Sequence, residues 1–226
     1  MAIHQEGSWL RGVVTHCLGA AQDVLYPPRC AVCDATAPAL CNACRDQLER
    51  PDPQALPGRP GLADYACAAL YRGPLAQAIP LFKYGRQLEL AGPLGELLAE
   101  ALTARRDEWA PEALVPVPLH PWRRFRRGFN QAELLVREAG RRLGLPVELR
   151  LLRRIRSTPP QVGRSREERL RNLQGAFALL PGRSVAGRRL VLIDDVSTTG
   201  ATLTAAAAPL VEAGAAVFGL SVAWEP

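Results

Sequence analysis

The sequence has one lysine, few aromatics and no long apolar run, and each shortage narrows what the chain can be. Lys83 is the only lysine, so 27 of the 28 basic residues are arginine; a compositional bias of the source genome accounts for this as well as a function does. No apolar run approaches the ~20 residues that a membrane-spanning helix needs, so membrane insertion is not expected. The N-terminus does not show the basic start, apolar stretch and small-residue cleavage site of a secretory signal. Between Trp9 and Tyr26 the apolar character is broken by Arg11, His16, Gln22 and Asp23. That stretch reads as an amphipathic helix packed on the protein, and the expected location is cytoplasmic. The Gly-Lys-Ser/Thr core of a Walker-type nucleotide loop is missing, and so is a dinucleotide-binding glycine fingerprint. No internal repeat is visible.

What is present suffices for one well-cored domain and a small appendage: 226 residues, 48% of them hydrophobic. The net charge of +6 hides an asymmetry. Residues 121–171 hold 15 Arg against 5 Glu, a local net of +10, while the remainder carries 13 basic and 17 acidic residues, a net of −4. Positive charge gathered in one segment suggests a polyanionic ligand or partner.

Residues 1–60 read as a separate module: a helix over about Trp9 to Leu25, then Pro27 and Pro28, the cysteines, and a linker. Within that linker RPDPQALPGRPG (50–61) has four prolines and two glycines and excludes a regular element. From residue 61 to 226 strand and helix signals alternate. Strands are expected over DYACAALY (64–71), 113–117, 147–151, 189–193 and 217–222. Helices are expected from Pro74 towards Tyr84, over 88–106, over 130–143 ending at Gly144, and from about Gly200 with Pro209 as a kink or early stop. Residues 153–173 read as a long mobile loop. This order implies an α/β domain with a mostly parallel sheet flanked by helices.

Four of the six cysteines, Cys30, Cys33, Cys41 and Cys44, form C-x2-C-x7-C-x2-C. Two tight pairs of thiolates suit tetrahedral Zn2+ better than a disulfide framework, a redox pair or an iron–sulfur cluster. A closed set of four ligands leaves no position for substrate, so the role is structural or recognitional. Cys17 and Cys67 read as small core residues.

The segment VLIDDVSTTGATL (191–203) carries the sharpest chemistry. An apolar strand ends in Asp194 and Asp195, and a run of hydroxyl residues and glycine then opens a helix. In an open parallel sheet, ligands sit beyond the carboxyl ends of the strands. A helix N-terminus offers free N–H groups and a positive dipole end to a phosphate. Gly200 lets the backbone approach closely, Ala201 begins the helix, and Thr198, Thr199 and Thr202 add hydroxyl donors. Carboxylates repel the phosphate itself and suit neutral hydroxyls beside it. A ribose 5-phosphate has that layout. A purely structural alternative leaves the acids capping the turn and Thr199 capping the helix.

In a third segment Trp122, Phe125 and Phe129 are interleaved with Arg123, Arg124, Arg126 and Arg127. Cations along a backbone groove plus aromatic platforms fit single-stranded nucleic acid. The same arginines fit a pyrophosphate, or a solvated face over buried aromatics. Lys83 reads either as a phosphate contact or as a solvated lysine.

The segment 191–203 resembles the signature of type I phosphoribosyltransferases, which bind 5-phosphoribosyl-1-pyrophosphate (PRPP). The stretches CAVC…CNAC, LFKYGR, VPVPLHPWRRFRRGFNQAE and RSTPPQVGRSREERLRNLQGAF, in that order, make most of the chain similar to the ComF family of competence-associated, amidophosphoribosyltransferase-like proteins. The resemblance implies that Asp194 and Asp195 hold the ribose hydroxyls and that Thr198 to Thr202 hold the 5-phosphate. It also implies that Pro118, Leu119 and His120 occupy the place of the pyrophosphate loop, and that Thr158 to Asn172 close over the ligand. Mg2+ would bridge pyrophosphate and ribose oxygens with few protein ligands. Thr198 stands where many purine enzymes of the superfamily have an acidic base, so the resemblance does not carry purine salvage. Two roles follow from it. One is a phosphoribosyl transfer driven by positioning and charge stabilisation. The other is a PRPP-binding module that handles single-stranded DNA during natural transformation, alongside other competence proteins.

Overall fold

The two nine-residue strands near the C-terminus, Arg189–Ser197 and Ala216–Trp224, lie inside the sheet, and the second is buried over seven consecutive residues because helices cover both of its faces. The computed structural model describes residues 27–156 and 171–226. The expected N-terminal helix, Cys17 and most of the segment 158–172 lie outside them. The elements begin with a short helix α1 (Asn42–Arg45), β1 (Asp64–Leu70), α2 (Gly73–Tyr84), α3 (Ala91–Thr103) and α4 (Arg106–Trp109). They continue with β2 (Ala113–Pro116), α5 (Pro121–Arg127), α6 (Gln131–Leu143), β3 (Leu152–Arg154) and β4 (Phe177–Leu179). β5 (Arg189–Ser197), α7 (Ala201–Glu212) and β6 (Ala216–Trp224) complete the chain.

Four strands form one parallel sheet in the order β1-β6-β5-β2. Leu114 adds a parallel bridge to Val147, which extends the sheet past β2. β3 and β4 form a separate antiparallel pair. Alternation along β5 divides its side chains between two cores. Val191 and Ile193 enter one with Leu97, Leu98 and Leu135 of α3 and α6. Leu190 and Leu192 enter the other with Leu203 and Leu210 of α7. The sheet is thus covered on both faces, as a parallel sheet requires.

Helix signals at both ends of α6 and at the start of α7 are those expected. Asn130 caps α6 by accepting from the Ala132 N–H at 3.2 Å. Gly144 closes it in the left-handed conformation at φ +65°. Pro209 lies inside α7 and does not end it, since the helix runs on to Glu212.

Several expectations shift. The strand expected over 147–151 is reduced to the bridge at Val147, and a regular strand starts only at Leu152. β3 therefore runs into the first two residues of the stretch 153–173 that reads as a loop. The Arg-aromatic segment folds as α5, opened by Pro121 and closed by Gly128 at φ +85°. The single helix expected over 88–106 breaks into a 3-10 turn over Leu88–Leu90, then α3 and α4.

The cysteine segment packs on the α/β part. Cys30, Leu40, Cys41 and Cys44 belong to the same buried cluster as Leu94 and Leu97 of α3. Arg45 of α1 pairs with Glu96 at 2.5 Å and Glu100 at 2.6 Å on α3.

Candidate functional site

Parity along β5 decides where its two carboxylates go. Asp195 follows Val191 and Ile193 onto the α2 side of the sheet, where Lys83 Nζ lies 2.9 Å from its Oδ1. Asp194 follows Leu190 and Leu192 onto the α7 side, where it lines a cavity of about 510 Å3. Each carboxylate also accepts a backbone N–H from the residue after it: Asp195 N to Asp194 at 2.9 Å, Val196 N to Asp195 at 2.7 Å. Burial raises the Asp194 pKa to about 7; the Asp195 charge adds to the rise, against Lys83, the Asp195 N–H and Arg154. For Lys83 burial disfavours the ammonium, yet the Asp195 carboxylate holds its pKa above the ordinary value. Lys83 is paired rather than solvated.

The same cavity is lined by Thr198, Thr199, Gly200, Ala201 and Thr202. Gly200 is the N-cap of α7, left-handed at φ +78°, and it supplies no side-chain cap. Thr199 Oγ1 reaches the Ala201 N–H only at 3.4 Å. Its capping is weak, and the helix N-terminus faces the cavity with backbone donors and its dipole, as anion binding needs.

Two guanidinium groups complete the wall, Arg123 of α5 and Arg154 of β3. Arg154 is 9% exposed and stacks 5.3 Å over the Phe177 ring. Its pKa is lowered by burial and then by the Arg123 charge, while Asp194 opposes the fall. Crowded cations at the mouth of an uncapped helix stabilise an anion. Arg154 is not singled out by the sequence, because its segment reads as a loop. Its burial emerges only in the structure, where Leu152, Arg153 and Arg154 alternate buried, exposed, buried; Leu-Arg-Arg carries no such alternation in the sequence. Leu173 and Glu225 also line the cavity.

The loop Pro118–His120 is half-buried and leaves β2 beside the end of β5, with the Val117 N–H donating to Ile193 O at 2.9 Å. It does not line the cavity. His120 instead caps α5, its Nδ1 accepting from the Trp122 N–H at 3.3 Å.

The arginines of α5 part company. Arg123 turns to the cavity, and Arg124 pairs with Glu133 at 2.6 Å. Arg126 lies 4.9 Å over the exposed Trp122 ring, and Arg127 lies 4.9 Å over Tyr84. Phe125 is 87% exposed and Tyr84 73% exposed. Phe129, by contrast, packs inward with its ring 6.0 Å from Phe82. One helix thus offers one arginine to the cavity and an open arginine–aromatic surface outside it. Tyr84, supplied by α2, is absent from the expected set because it is distant in sequence.

The four cysteines converge so that all their Sγ atoms lie within 4.8 Å of one another. Cys30 and Cys44 stand 3.7 Å apart, and Cys33 and Cys41 3.6 Å. Zn–S bonds of about 2.3 Å in a tetrahedron place sulfurs about 3.8 Å apart, so the donors fit zinc in both type and spacing. Around Cys30, burial opposes ionisation, but N–H groups of Cys41, Cys33 and Val32 outweigh it and bring the thiol down to about 6. Cys67, on β1, is pushed up to about 12 by burial and behaves as a core residue.

Comparisons with known proteins agree with this arrangement. Residues 21–56 match the model of the double zinc ribbon domain, and residues 126–226 match that of the phosphoribosyl transferase domain. The DNA utilization protein YhgH of Escherichia coli is 37% identical over 93% of this chain and 88% of its own length. Competence protein F of Haemophilus influenzae is 32% identical over 83% of this chain and 80% of its own. The chain belongs to the ComF family. Competence protein ComFC of Bacillus subtilis is 40% identical over a shorter stretch, 46% of this chain and 40% of that protein. This ComF-family chain therefore joins a phosphoribosyltransferase-like parallel sheet, flanked by helices, to an N-terminal four-cysteine zinc-binding module. None of its helices among the described residues is long and apolar enough to cross a membrane.

Proposed function

We propose that this ComF-family chain binds PRPP, or a close ribose 5-phosphate ligand, in the cavity between β5, α7, Arg123 and Arg154. The carrying observation is the placement of Asp194, the uncapped α7 N-terminus and two guanidinium groups around a single 510 Å3 space. The 5-phosphate sits on the turn Thr198 to Thr202. Asp194, with Asp195 beside it, accepts the ribose hydroxyls, and Arg123 and Arg154 face the pyrophosphate. Mg2+ fits the phosphate-rich ligand rather than a dedicated protein cage; when bound it offsets pyrophosphate charge.

The arrangement supports a transfer in which pyrophosphate leaves the ribose and a nucleophile arrives on the opposite face. Its barrier is lowered by positioning and charge stabilisation. The relatives named for competence and DNA utilization support a second, compatible reading in which PRPP is a regulatory ligand. There the exposed Trp122, Phe125 and Tyr84 with Arg126 and Arg127 hold single-stranded DNA. Such a role belongs in the cytoplasm, beside other competence proteins.

Calorimetric titration with PRPP and Mg2+, repeated with a panel of bases and with oligonucleotides, tests both readings. Saturable PRPP binding that is weakened in Asp194→Asn supports the site. Binding without consumption by any base, amine or water removes the enzyme reading; no PRPP binding removes the ligand.

A further inference from the structure

The linker 50–61, which reads as a passive connection, delivers Arg59 into the interior. This side chain is 5% exposed, and its Cζ lies 4.7 Å over the Tyr65 ring. Its Nη2 donates to Thr198 O at 3.0 Å and to Ser197 Oγ at 3.4 Å. It also lies across the bare Cα of Gly200. A Cβ added there would meet Arg59 Cδ at 2.2 Å and Nε at 2.4 Å. Three residues on, Leu62 covers Gly219 of β6 in the same way, 2.6 Å from where a Cβ would stand. Two glycines of the α/β part thus form the seat on which the linker rests. Tyr65 is fixed in turn by a 2.7 Å hydrogen bond to Ser221 Oγ.

The contact with Thr198 has a consequence set by peptide geometry. In a trans peptide the carbonyl and the following N–H point in opposite directions, and no described peptide is cis. With the Thr198 carbonyl turned to Arg59, the Thr199 N–H points away from it. Arg59 borders two further cavities, one lined by Pro57 and Leu62 among others and one that it shares with Thr198, Thr199, Trp224 and Glu225. The 510 Å3 cavity, on which Thr198 to Thr202 open, does not include it.

We infer that Arg59 is a positioning residue of the phosphate turn: from behind, it fixes the peptide planes of Thr198 to Gly200 so that their N–H groups serve the cavity. Its ligand-affinity part rests on the ribose-phosphate reading above; the ordering of the turn does not. Through Arg59, the segment joining the zinc module to the α/β part takes a direct share in the site. Loss of a hydrogen bond from a charged donor is worth about tenfold in an equilibrium.

The test uses the full chain with zinc bound, as wild type, Arg59→Ala and Arg59→Lys. Lysine keeps the charge but cannot reproduce the planar fork. In the unliganded proteins, amide hydrogen exchange at Thr199 to Thr202 should speed up about tenfold or more in both variants, with zinc content unchanged. Affinity for PRPP with Mg2+ should fall about tenfold in Arg59→Ala, with little rescue by Arg59→Lys. Unchanged exchange overturns the positioning role, and faster exchange with unchanged PRPP affinity overturns its link to the ligand. If wild type binds no PRPP, the ribose-phosphate reading and that link fail together, while exchange still decides the ordering of the turn. Should Arg59→Ala not fold, Arg59→Lys carries the same comparisons.

Discussion

Lys83 Nζ and Asp195 Oδ1 lie 2.9 Å apart, with side chains only 20% and 13% exposed. The only lysine of the sequence therefore sits beside the C-terminal part of β5. It neutralises one of two adjacent carboxylates and leaves the other, Asp194, to the cavity.

Removing one partner of that pair should cost more than removing both. Lys83→Met strands a buried carboxylate and is expected to destabilise the chain by about 3 kcal/mol. The double variant Lys83→Met with Asp195→Asn should recover a large part of that loss. Urea denaturation of the four proteins of the cycle measures the coupling. Additive effects would show that the two groups do not depend on each other.

Asp194 makes the unliganded protein pH-sensitive. Its folded pKa, about 7, lies above the ordinary carboxylate range. The stability it contributes is therefore full at acid pH, below the unfolded value, and is lost as pH rises through about 7. Asp194→Asn should flatten the dependence of Tm on pH between about 4 and 7. Ribose hydroxyls favour the ionised form, so PRPP binding near pH 6 should release protons in the wild type and fewer in the variant. Calorimetry in buffers of different ionisation enthalpy reads the difference directly.

Chelation should affect more than the cysteine module, because Cys41 and Cys44 share a buried cluster with Leu94 and Leu97. One zinc per chain is expected by metal analysis. Its removal, or Cys44→Ser, should lower the Tm of the whole chain rather than produce a separate low-temperature transition. Two independent transitions in a calorimetric scan would contradict this.

On the outer surface of α5, Phe125→Ala should weaken binding of a single-stranded oligonucleotide by about 1 to 3 kcal/mol. Reversing Arg126 and Arg127 to Glu should weaken it further and flatten its salt dependence. PRPP affinity should fall with Arg123→Glu and change little with Phe125→Ala. Oligonucleotide affinity that is unchanged in all of these variants would remove α5 from nucleic-acid binding.

The features that local chemistry dictates are legible in the sequence alone. Cysteine spacing brings four thiols together as a metal set, and an apolar strand that runs into two acids, with Thr-Thr-Gly beyond them, specifies a strand–turn–helix segment; the strand itself continues past the acids to Ser197. Alternating patterns imply a parallel sheet, since these patterns act over a few residues. Only the tertiary structure decides which face of the sheet each carboxylate takes, because strand parity has meaning once helices cover both sides. It also brings Arg154, Arg123 and the turn to one cavity, sets Tyr84 beside Arg127, and seats Arg59 on Gly200. Each of these joins residues far apart in the chain, and side chains as long as arginine leave no periodic signal of where they end. The sequence by itself therefore determined the strand–turn–helix segment and the metal set. Packing, which acts through space rather than along the chain, decided what surrounds them.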